Sequence, residues 1–444
     1  MEDLTRGSIP RHIVRLAIPI AIGMVFQTLY YLVDVYFVGR IGEAAVAGLT
    51  SGGNAWFLVM ALTQVLGVGT MALIANASGR KDRADANLIF NQSLGLAALL
   101  AAITLVGGYT LTDWYMETLA ADAETVAEGS LYLRWCLPGL ALQFALVSMG
   151  SALRGTGIVK PTIFVQVFSV ALNAVLAPFM IAGWVTGQPL GVLGAGLSTT
   201  ISITVGVLMM LAYFLRLERF VRFDFARVRP CPEAWWRILR VGLPPGGEFA
   251  LMFVYMAVIY WCIRGFGAEA QAGFGIGSRV MQAVFLPAMA IAFATAPVAG
   301  QNVGAGQPGR VRETFRWSAM AGGAIMLTLT LLYQIAPATL VGAFSGDGAV
   351  IGVGGEFLRI ISWNFVATGL IFTCNGIFQA LGNTVPSLVA SGMRIVTFAI
   401  PAVWLAGRPW FELHHLWYLS VATIGFQALV SWILLRRELA RKLA

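Results

Sequence analysis

Long apolar segments, separated by short polar connections, follow one another along the whole chain. A helix of about 20 apolar residues is long enough to cross a bilayer. Twelve segments meet this requirement, so the pattern predicts an all-α integral membrane protein with twelve transmembrane helices. The predicted spans are 16–39, 44–79, 87–112, 130–153, two within 161–215 that are divided near Gly187, 241–263, 270–301, 317–339, 357–381, 387–406 and 416–435.

The composition agrees with this pattern, because 58% of the 444 residues are hydrophobic and only 11% are charged. These values exclude an ordinary soluble protein. The net charge is +8, but the basic residues are spread over short loops, so we expect no nucleic acid partner. Four cysteines and three histidines show neither disulfide nor metal-ligand spacing. We therefore expect no cofactor, no metal site and no enzyme activity.

The basic residues in the connections indicate the orientation in the membrane. With twelve spans, 22 lysines and arginines lie on the side that holds both termini, and three lie on the other side. By the positive-inside rule, both termini are expected to be cytoplasmic. The first run is also too long for the apolar core of a cleavable signal peptide. We therefore predict a multi-pass protein of the inner (plasma) membrane.

The two halves of the chain are similar to each other when one is shifted by 225 residues. The turn at 41–48 (IGEAAVAG) then matches the turn at 266–273 (FGAEAQAG). Six such matches in one register indicate an internal repeat. Other corresponding positions are Pro19 and Pro244, Tyr30 and Tyr255, and Arg134 and Arg359.

Each repeat holds six spans, an even number, so both repeats cross the membrane in the same orientation. The expected architecture is two six-helix bundles, at 1–215 and 241–444, related by a pseudo-two-fold axis along the membrane normal. A basic cytoplasmic linker at 216–240, with seven arginines, joins them. Such a pair of bundles favours a transporter that works by rocker-type alternating access.

The first predicted span contains a single charge, Asp34, which is costly inside a membrane and so marks a candidate ion path. Tyr30, Gln27 and Gly23 precede it at helical spacing and predict a polar and small stripe on one face. Pro19, one turn before the stripe, is a candidate hinge because proline removes a helix hydrogen bond. In an apolar wall Asp34 could load a proton on one side and release it on the other.

The second half carries its own intramembrane acid, Glu248, on the same predicted face as Met252 and Tyr255. Glu248 lies only about two turns from the start of its span. It is therefore either part of a second ion site or a carboxylate near a helix start, and the sequence leaves both interpretations open. Tyr30 and Met252, one turn from the two acids, are candidate substrate contacts.

Two arginines, Arg279 and Arg394, also lie deep inside predicted spans. They could pair with Glu248 or with backbone carbonyl groups. Arginines that face a central cavity would instead favour a flippase for an anionic lipid-linked oligosaccharide.

The chain as a whole resembles the multidrug and toxic compound extrusion (MATE) family. The residues that carry the resemblance are the span-one pattern with Pro19 and Asp34, the motif GQNVGAG at 300–306, and the turns LRGTG and QALGN before Pro161 and Pro386. The resemblance implies export of cationic or amphipathic compounds, driven by the entry of protons or sodium ions.

The resemblance also implies an ion-coupling site in the first bundle. The matching residues are Asp34, Asn173 and Thr199, whereas a second aspartate of the family pattern is replaced by Ala177. Sodium prefers several oxygen ligands, so the loss of one carboxylate favours protons. Neutral ligands, Gln27 among them, could still complete a sodium site.

These observations predict a proton-coupled antiporter, acting as a monomer, that exports small organic cations or amphiphiles across the lipid bilayer. Three alternatives remain: a sodium-coupled exporter of the same family, a lipid-linked oligosaccharide flippase of the same superfold, and a membrane-embedded enzyme or receptor. The last has no support from a nucleophile, a metal cluster or a pair of acids in the sequence.

Overall fold

The computed structural model describes residues 1–38, 42–119, 122–184, 187, 189–218, 220–224 and 229–443, except for the side chains at 30–35, 43–44 and 54. The helices of the first half are α1 (Ile9–Val38), α2 (Glu43–Gly79), α3 (Arg83–Leu119), α4 (Ala123–Gly155), α5 (Lys160–Met180) and α6 (Gly191–Arg216). Those of the second half are α7 (Pro232–Ile263), α8 (Ala268–Gly304), α9 (Pro308–Ile335), α10 (Pro337–Gly342), α11 (Gly348–Ile361), α12 (Asn364–Ala380), α13 (Val385–Arg394), α14 (Ile400–Ala406) and α15 (Leu413–Lys442).

Eleven candidate spans are long and apolar enough to cross a membrane, and the bent pair α11–α12 provides a twelfth. The prediction of an all-α protein with twelve transmembrane helices is thereby confirmed. Span ten differs from its predicted form, because the chain bends by 55° between α11 and α12 instead of continuing straight from 357 to 381.

Side chains of α9 explain why the α11–α12 bend is tolerated. Thr330 donates a hydrogen bond to the Ser362 carbonyl oxygen at 2.9 Å. Gln334 donates to the Arg359 carbonyl oxygen at 2.7 Å and to Ser362 Oγ at 2.8 Å. A bend frees backbone carbonyl groups that lipid cannot satisfy, and polar side chains of a neighbouring helix can replace the lost bonds.

Span eleven is also interrupted, where the sequence predicts one continuous helix at 387–406. A π-helical turn, Ile395–Ala399, connects α13 to α14. Pro401 lies at the start of α14, where its missing N–H removes one helical hydrogen bond. Single π-helical turns of this kind are often found at functional sites.

The contacts of the chain divide it into two compact units. One consists of Met1–Asp3 and Ile22–Leu243, and the other of Leu4–Ala21 and Pro244–Ala444. These boundaries differ from the predicted ranges 1–215 and 241–444, since the first part of α1 belongs to the second unit and residues 216–243 belong to the first. The chain passes from the second unit to the first after Ala21, two residues beyond Pro19, and returns to the second unit at Pro244.

Within the first unit, two glycines allow α2 and the beginning of α7 to approach closely. A Cβ atom added at Gly242 would lie 1.8 Å from the Val65 carbonyl oxygen, and one at Gly69 would lie 2.2 Å from that of Ile238. No larger residue fits either position. Small residues serve this purpose at many helix contacts in membranes, where backbone proximity replaces the hydrophobic driving force.

The segment between α6 and α7 is bound to the first unit by three amide side chains of α3, those of Asn87, Asn91 and Gln92. Each donates a hydrogen bond to a backbone carbonyl group of the segment and accepts one from the N–H group two residues further on. The segment is thus held like an added strand. The residue pairs bonded in this way are Phe220 and Arg222, Arg222 and Asp224, and Arg229 and Cys231.

In the second unit, the motif between α8 and α9 binds the segment that precedes α1. The backbone N–H of Leu4 donates to Gln301 Oε1 at 3.0 Å, and Asn302 Nδ2 donates to the Leu4 carbonyl oxygen at 3.2 Å. Arg310 donates to Asn302 Oδ1 at 2.9 Å and to the Gly7 carbonyl oxygen at 3.0 Å. The polar residues of GQNVGAG therefore anchor the start of the chain.

Candidate functional site

A cluster of polar side chains surrounds Glu248, which is partly buried in the second unit. The Glu248 carboxyl group contacts Asn375 of α12 through Oε2, at 3.2 Å from Nδ2, and the Ser387 hydroxyl group of α13 through Oε1. Ser387 Oγ also lies 2.6 Å from Asn375 Oδ1. The three side chains therefore form a closed ring that links α7, α12 and α13.

The number of hydrogens available to this ring fits one protonation state of Glu248. Three contacts require three hydrogens, but Ser387 supplies one and the Asn375 amide nitrogen supplies one. The third hydrogen is present when Glu248 carries a proton and donates it to the ring. The same count holds if the Asn375 amide is turned over. The geometry thus fits a neutral Glu248 carboxyl group, and loss of its proton leaves one contact without a hydrogen.

A second group of polar contacts continues along the same face of α13. The Tyr255 hydroxyl group donates to the Ser391 carbonyl oxygen, and Gln427 of α15 donates to Ser391 Oγ at 3.2 Å. The Arg394 guanidinium lies 4.8 Å from the centre of the Tyr255 ring and 5.2 Å from that of Phe398. Residues 387, 391 and 394 are spaced so that they share one helix face.

The two predicted pairings of the deep arginines do not occur among the described residues. Glu248 is bonded to Asn375 and Ser387 rather than to an arginine. Arg394 stacks on aromatic rings, and Arg279 of α8 is exposed. The sequence could not indicate this, because the helices that approach Glu248 are determined by packing.

Of the predicted second-bundle residues, Tyr255 is buried, with 7% of its surface exposed, and belongs to the α13 contacts. Met252, predicted to contact substrate, is 45% exposed. It lies one turn from Glu248 on α7, and its contact with substrate stays a prediction.

In the first unit, Asn173 of α5 and Thr199 of α6 are fully buried. Asn173 Nδ2 lies 3.4 Å from Ser198 Oγ, whereas no hydrogen-bond donor among the described residues reaches Asn173 Oδ1. A buried acceptor without a donor is rare in proteins and needs a physical explanation. A protonated carboxyl group or a bound cation would satisfy this oxygen.

The side chains of Asp34 and Tyr30 lie outside the described residues, so the structure gives no contacts for these two predicted site residues. The α1 backbone at these positions is helical, with Pro19 inside the same helix. A Cβ atom added at Gly23 would lie 2.7 Å from Gln166 Oε1. The glycine therefore marks a close approach of α1 to α5. Gln27 is exposed and makes no hydrogen bond to another described residue.

Asn375 and Ser387 were not predicted as site residues. A lone asparagine inside an apolar run was the available signal, since polar side chains within membrane spans commonly bond across helices. For Ser387 the sequence offers no such signal, because serine is common at helix contacts.

Comparisons with known proteins agree with this architecture. The MatE family model matches residues 19–179 and again residues 244–405, and the two matches begin 225 residues apart, as the internal repeat does. The chain is 25% identical over 379 residues to the multidrug export protein MepA of Staphylococcus saprophyticus, a match that covers 85% of this chain and 83% of the relative. It is 26% identical over 430 residues to the probable multidrug resistance protein NorM of Thermotoga maritima, covering 95% and 90%.

A solved structure shares the fold over nearly the whole length. It is an outward-facing conformation of a multidrug resistance MATE family transporter of the MOP superfamily. The TM-score is 0.91 at 25% identity, and the alignment covers 99% of this chain and 98% of the other.

Proposed function

The chain belongs to the MatE family, and from this premise we propose that it exports cationic or amphipathic organic compounds in exchange for protons. The relatives named as multidrug export proteins support the export of small organic compounds. The transport is secondary active, and the protein uses the proton gradient rather than a bound cofactor.

The observation that carries the proposal is the ring formed by Glu248, Asn375 and Ser387. The ring has its full set of hydrogens when Glu248 holds a proton. Two of its three contacts hold the carboxyl group, in a span where a permanent charge would be costly. Such a carboxyl group can take up a proton where water reaches it and release it after access changes. Asn173 Oδ1, a buried acceptor that no donor of the described side chains reaches, supports a second such position in the first unit.

In the proposed cycle, Asp34 binds a proton from outside, and its neutralisation lets α1 bend near Pro19 and release the substrate. Release of the proton inside resets the transporter. Glu248 adds a second protonation step. The membrane potential provides about 2.3 kcal/mol per charge per 100 mV, enough for modest accumulation by each proton.

Transport in sealed proteoliposomes tests this proposal. Efflux of a fluorescent cation is measured under an imposed pH gradient and, separately, under an imposed sodium gradient. We expect the pH gradient alone to drive transport, and Asp34→Asn and Glu248→Gln each to lower the initial rate by about tenfold or more, because neither amide can release a proton.

The exposed Glu117, near the end of α3, provides a matched control. Glu117→Gln removes a carboxylate outside the proposed site and should leave the rate within about twofold. Transport that is driven only by the sodium gradient would show that sodium, and not the proton, is the coupling ion. Transport that ignores both gradients, or that survives Asp34→Asn unchanged, would reject antiport.

A further inference from the structure

Arg394, in the middle of a membrane span, forms no ion pair with any residue whose side chain the structure describes. It is the tenth residue of the 22-residue span Val385–Ala406, and its side chain is partly buried. The contacts of its guanidinium are the faces of two rings, those of Tyr255 at 4.8 Å and Phe398 at 5.2 Å. Aromatic faces attract a cation but cannot accept its hydrogen bonds in the plane of the guanidinium.

The donors of Arg394 are therefore not used by hydrogen bonds within the described part of the chain. Nε is shielded from solvent and has no acceptor, and no described residue accepts a hydrogen bond from the rest of the guanidinium. Five N–H groups in a rigid fork match a carboxylate or phosphate group in geometry and charge. The surrounding rings hold the guanidinium in place, so the side chain loses little conformational entropy when an anion binds.

Neighbouring contacts support the position of this cation. The Tyr255 ring that lies against Arg394 is held by its hydroxyl bond to the Ser391 carbonyl oxygen, and Gln427 holds Ser391 Oγ from α15. The contact therefore involves α7, α13 and α15, and the guanidinium lies where these helices meet. Glu248 does not neutralise it, because both carboxyl oxygens are engaged by Asn375 and Ser387.

Arg279 of α8 is a second positive charge at a similar depth. The Tyr260 ring of α7 contacts the Phe274 ring of α8 at 5.2 Å, which fixes the relative level of these consecutive, antiparallel helices. Five residues along each helix from this contact, about one and a half turns, bring Arg279 to the level of Tyr255. Arg279 is exposed and forms no ion pair with a described residue. Charged side chains within spans almost always face the bundle interior or a water-filled cavity rather than lipid, which favours the same placement for Arg279.

We propose that Arg394, assisted by Arg279, binds the carboxylate or phosphate group of an amphipathic compound. The inference rests on the proposed export function and narrows the amphipathic part of its substrate class to compounds that carry an anionic group on a mainly apolar body. Such a group can belong to an exported solute or to the headgroup of a lipid, since both present the same oxygens to the guanidinium.

Two dyes that differ in one functional group provide the test. Rhodamine 19 carries a free carboxylate, and rhodamine 6G is its ethyl ester, with the same ring system and without the negative charge. Binding of each dye to the purified full-length protein is followed by fluorescence anisotropy in nanodiscs of phosphatidylcholine. We expect Arg394→Gln to weaken binding of rhodamine 19 by about tenfold or more, because a charge-assisted bond is lost.

The same variant should keep or slightly strengthen binding of rhodamine 6G, since a repelling positive charge is removed. Retained rhodamine 6G binding also shows that the variant is folded. Arg394→Lys should weaken binding of rhodamine 19 by an intermediate factor. Lysine keeps the positive charge but cannot form the bidentate pair that a guanidinium forms with a carboxylate. Arg279→Gln should give a smaller loss of the same sign.

Arg408 is the matched control, because it is an exposed arginine that stacks on Trp404, with its guanidinium 4.2 Å from the ring centre. Arg408→Gln should change binding of neither dye. Equal effects of Arg394→Gln on both dyes, or no effect on rhodamine 19, would overturn the inference. A wild-type protein that binds both dyes but transports neither would instead count against the proposed export function.

Nanodiscs that contain phosphatidylglycerol distinguish the two sources of the anionic group. If phosphatidylglycerol displaces rhodamine 19 from the wild-type protein but not from Arg394→Lys, a lipid headgroup occupies the site. If the affinity for rhodamine 19 does not depend on phosphatidylglycerol, the site serves an exported solute. Either result supports an anion site at Arg394, provided that Arg394→Gln discriminates between the two dyes.

Discussion

The Ser387 hydroxyl group contacts the Glu248 carboxyl group from a position 139 residues further along the chain. Through this contact and the one with Asn375, Glu248 joins a polar cluster formed by α7, α12 and α13. Because the cluster is complete when Glu248 is protonated, proton binding and the packing of α13 against α7 are connected through one hydroxyl group.

Removal of that hydroxyl group should impair coupling. We expect Ser387→Ala to lower transport driven by a pH gradient by about threefold to tenfold and to reduce stability by about 1–2 kcal/mol, because Glu248 and Asn375 each lose a hydrogen-bond partner. Initial rates in proteoliposomes and thermal unfolding of the purified protein measure the two effects.

Ser278 provides the control for this substitution, since its hydroxyl group bonds to carbonyl groups of its own helix. Ser278→Ala also removes one hydroxyl group, but it leaves the contacts of Glu248 unchanged. A loss of transport in Ser278→Ala as large as in Ser387→Ala would show that the Ser387 effect is not specific to the ring.

The anchoring of the N-terminal segment by Asn302 can be tested by proteolysis. Asn302→Ala removes the bond to the Leu4 carbonyl oxygen and the acceptor for Arg310. We expect a loss of about 1–3 kcal/mol in stability, because the Leu4 carbonyl oxygen keeps only its bond from Arg310 and Arg310 Nε loses its acceptor. Trypsin should then cut at Arg6 or Arg11 several times faster than in the unaltered protein.

Gln307, in the same turn, is the matched control, because its side-chain oxygen has no hydrogen-bond partner among the described residues. Gln307→Ala should leave the cleavage rate unchanged. Equal cleavage of the Asn302→Ala variant and the unaltered protein would show that other contacts, such as the burial of Leu4, anchor the segment.

The start of α4 should make stability depend on pH. Asp122 precedes the helix and accepts hydrogen bonds from the Thr125 backbone N–H at 2.8 Å and from the Thr125 hydroxyl group at 3.0 Å. The backbone bond, followed by the hydroxyl bond, lowers the pKa of the Asp122 carboxyl group below its ordinary value of 3.8.

A lowered pKa means that the folded protein binds this proton less readily than the unfolded chain does. The stabilisation is therefore present above about pH 4 and is lost as the pH falls through the folded-state value. Asp122→Asn keeps a capping oxygen but does not titrate. We expect the melting temperature of the unaltered protein to exceed that of Asp122→Asn at pH 7, and the difference to close below pH 4. A difference that persists unchanged at pH 3 would contradict this assignment.

The sequence was most informative where a property depends on a short stretch of chain. A membrane span requires only a sufficient length of apolar residues, so twelve spans could be recognised, and proline and glycine positions revealed the repeat. The same local signals failed at α11–α12, where Thr330 and Gln334 of another helix stabilise a bend that the apolar pattern does not show.

For the site, the sequence identified Glu248 and Tyr255 as candidates, because a charge or an aligned polar stripe in an apolar run is a local signal. It did not identify Asn375 and Ser387, nor the aromatic surroundings of Arg394.

Membrane insertion, helix content and the two-fold repeat of this protein were thus determined by the sequence itself, since each follows from hydrophobicity and residue order. Tertiary structure alone decided which polar groups meet. Glu248 and Ser387 are 139 residues apart, and only the packing of α13 against α7 brings them together. The polar partners of a carboxyl group in a membrane determine how costly its charge is, so the proposed role of Glu248 depends on contacts that no local pattern encodes.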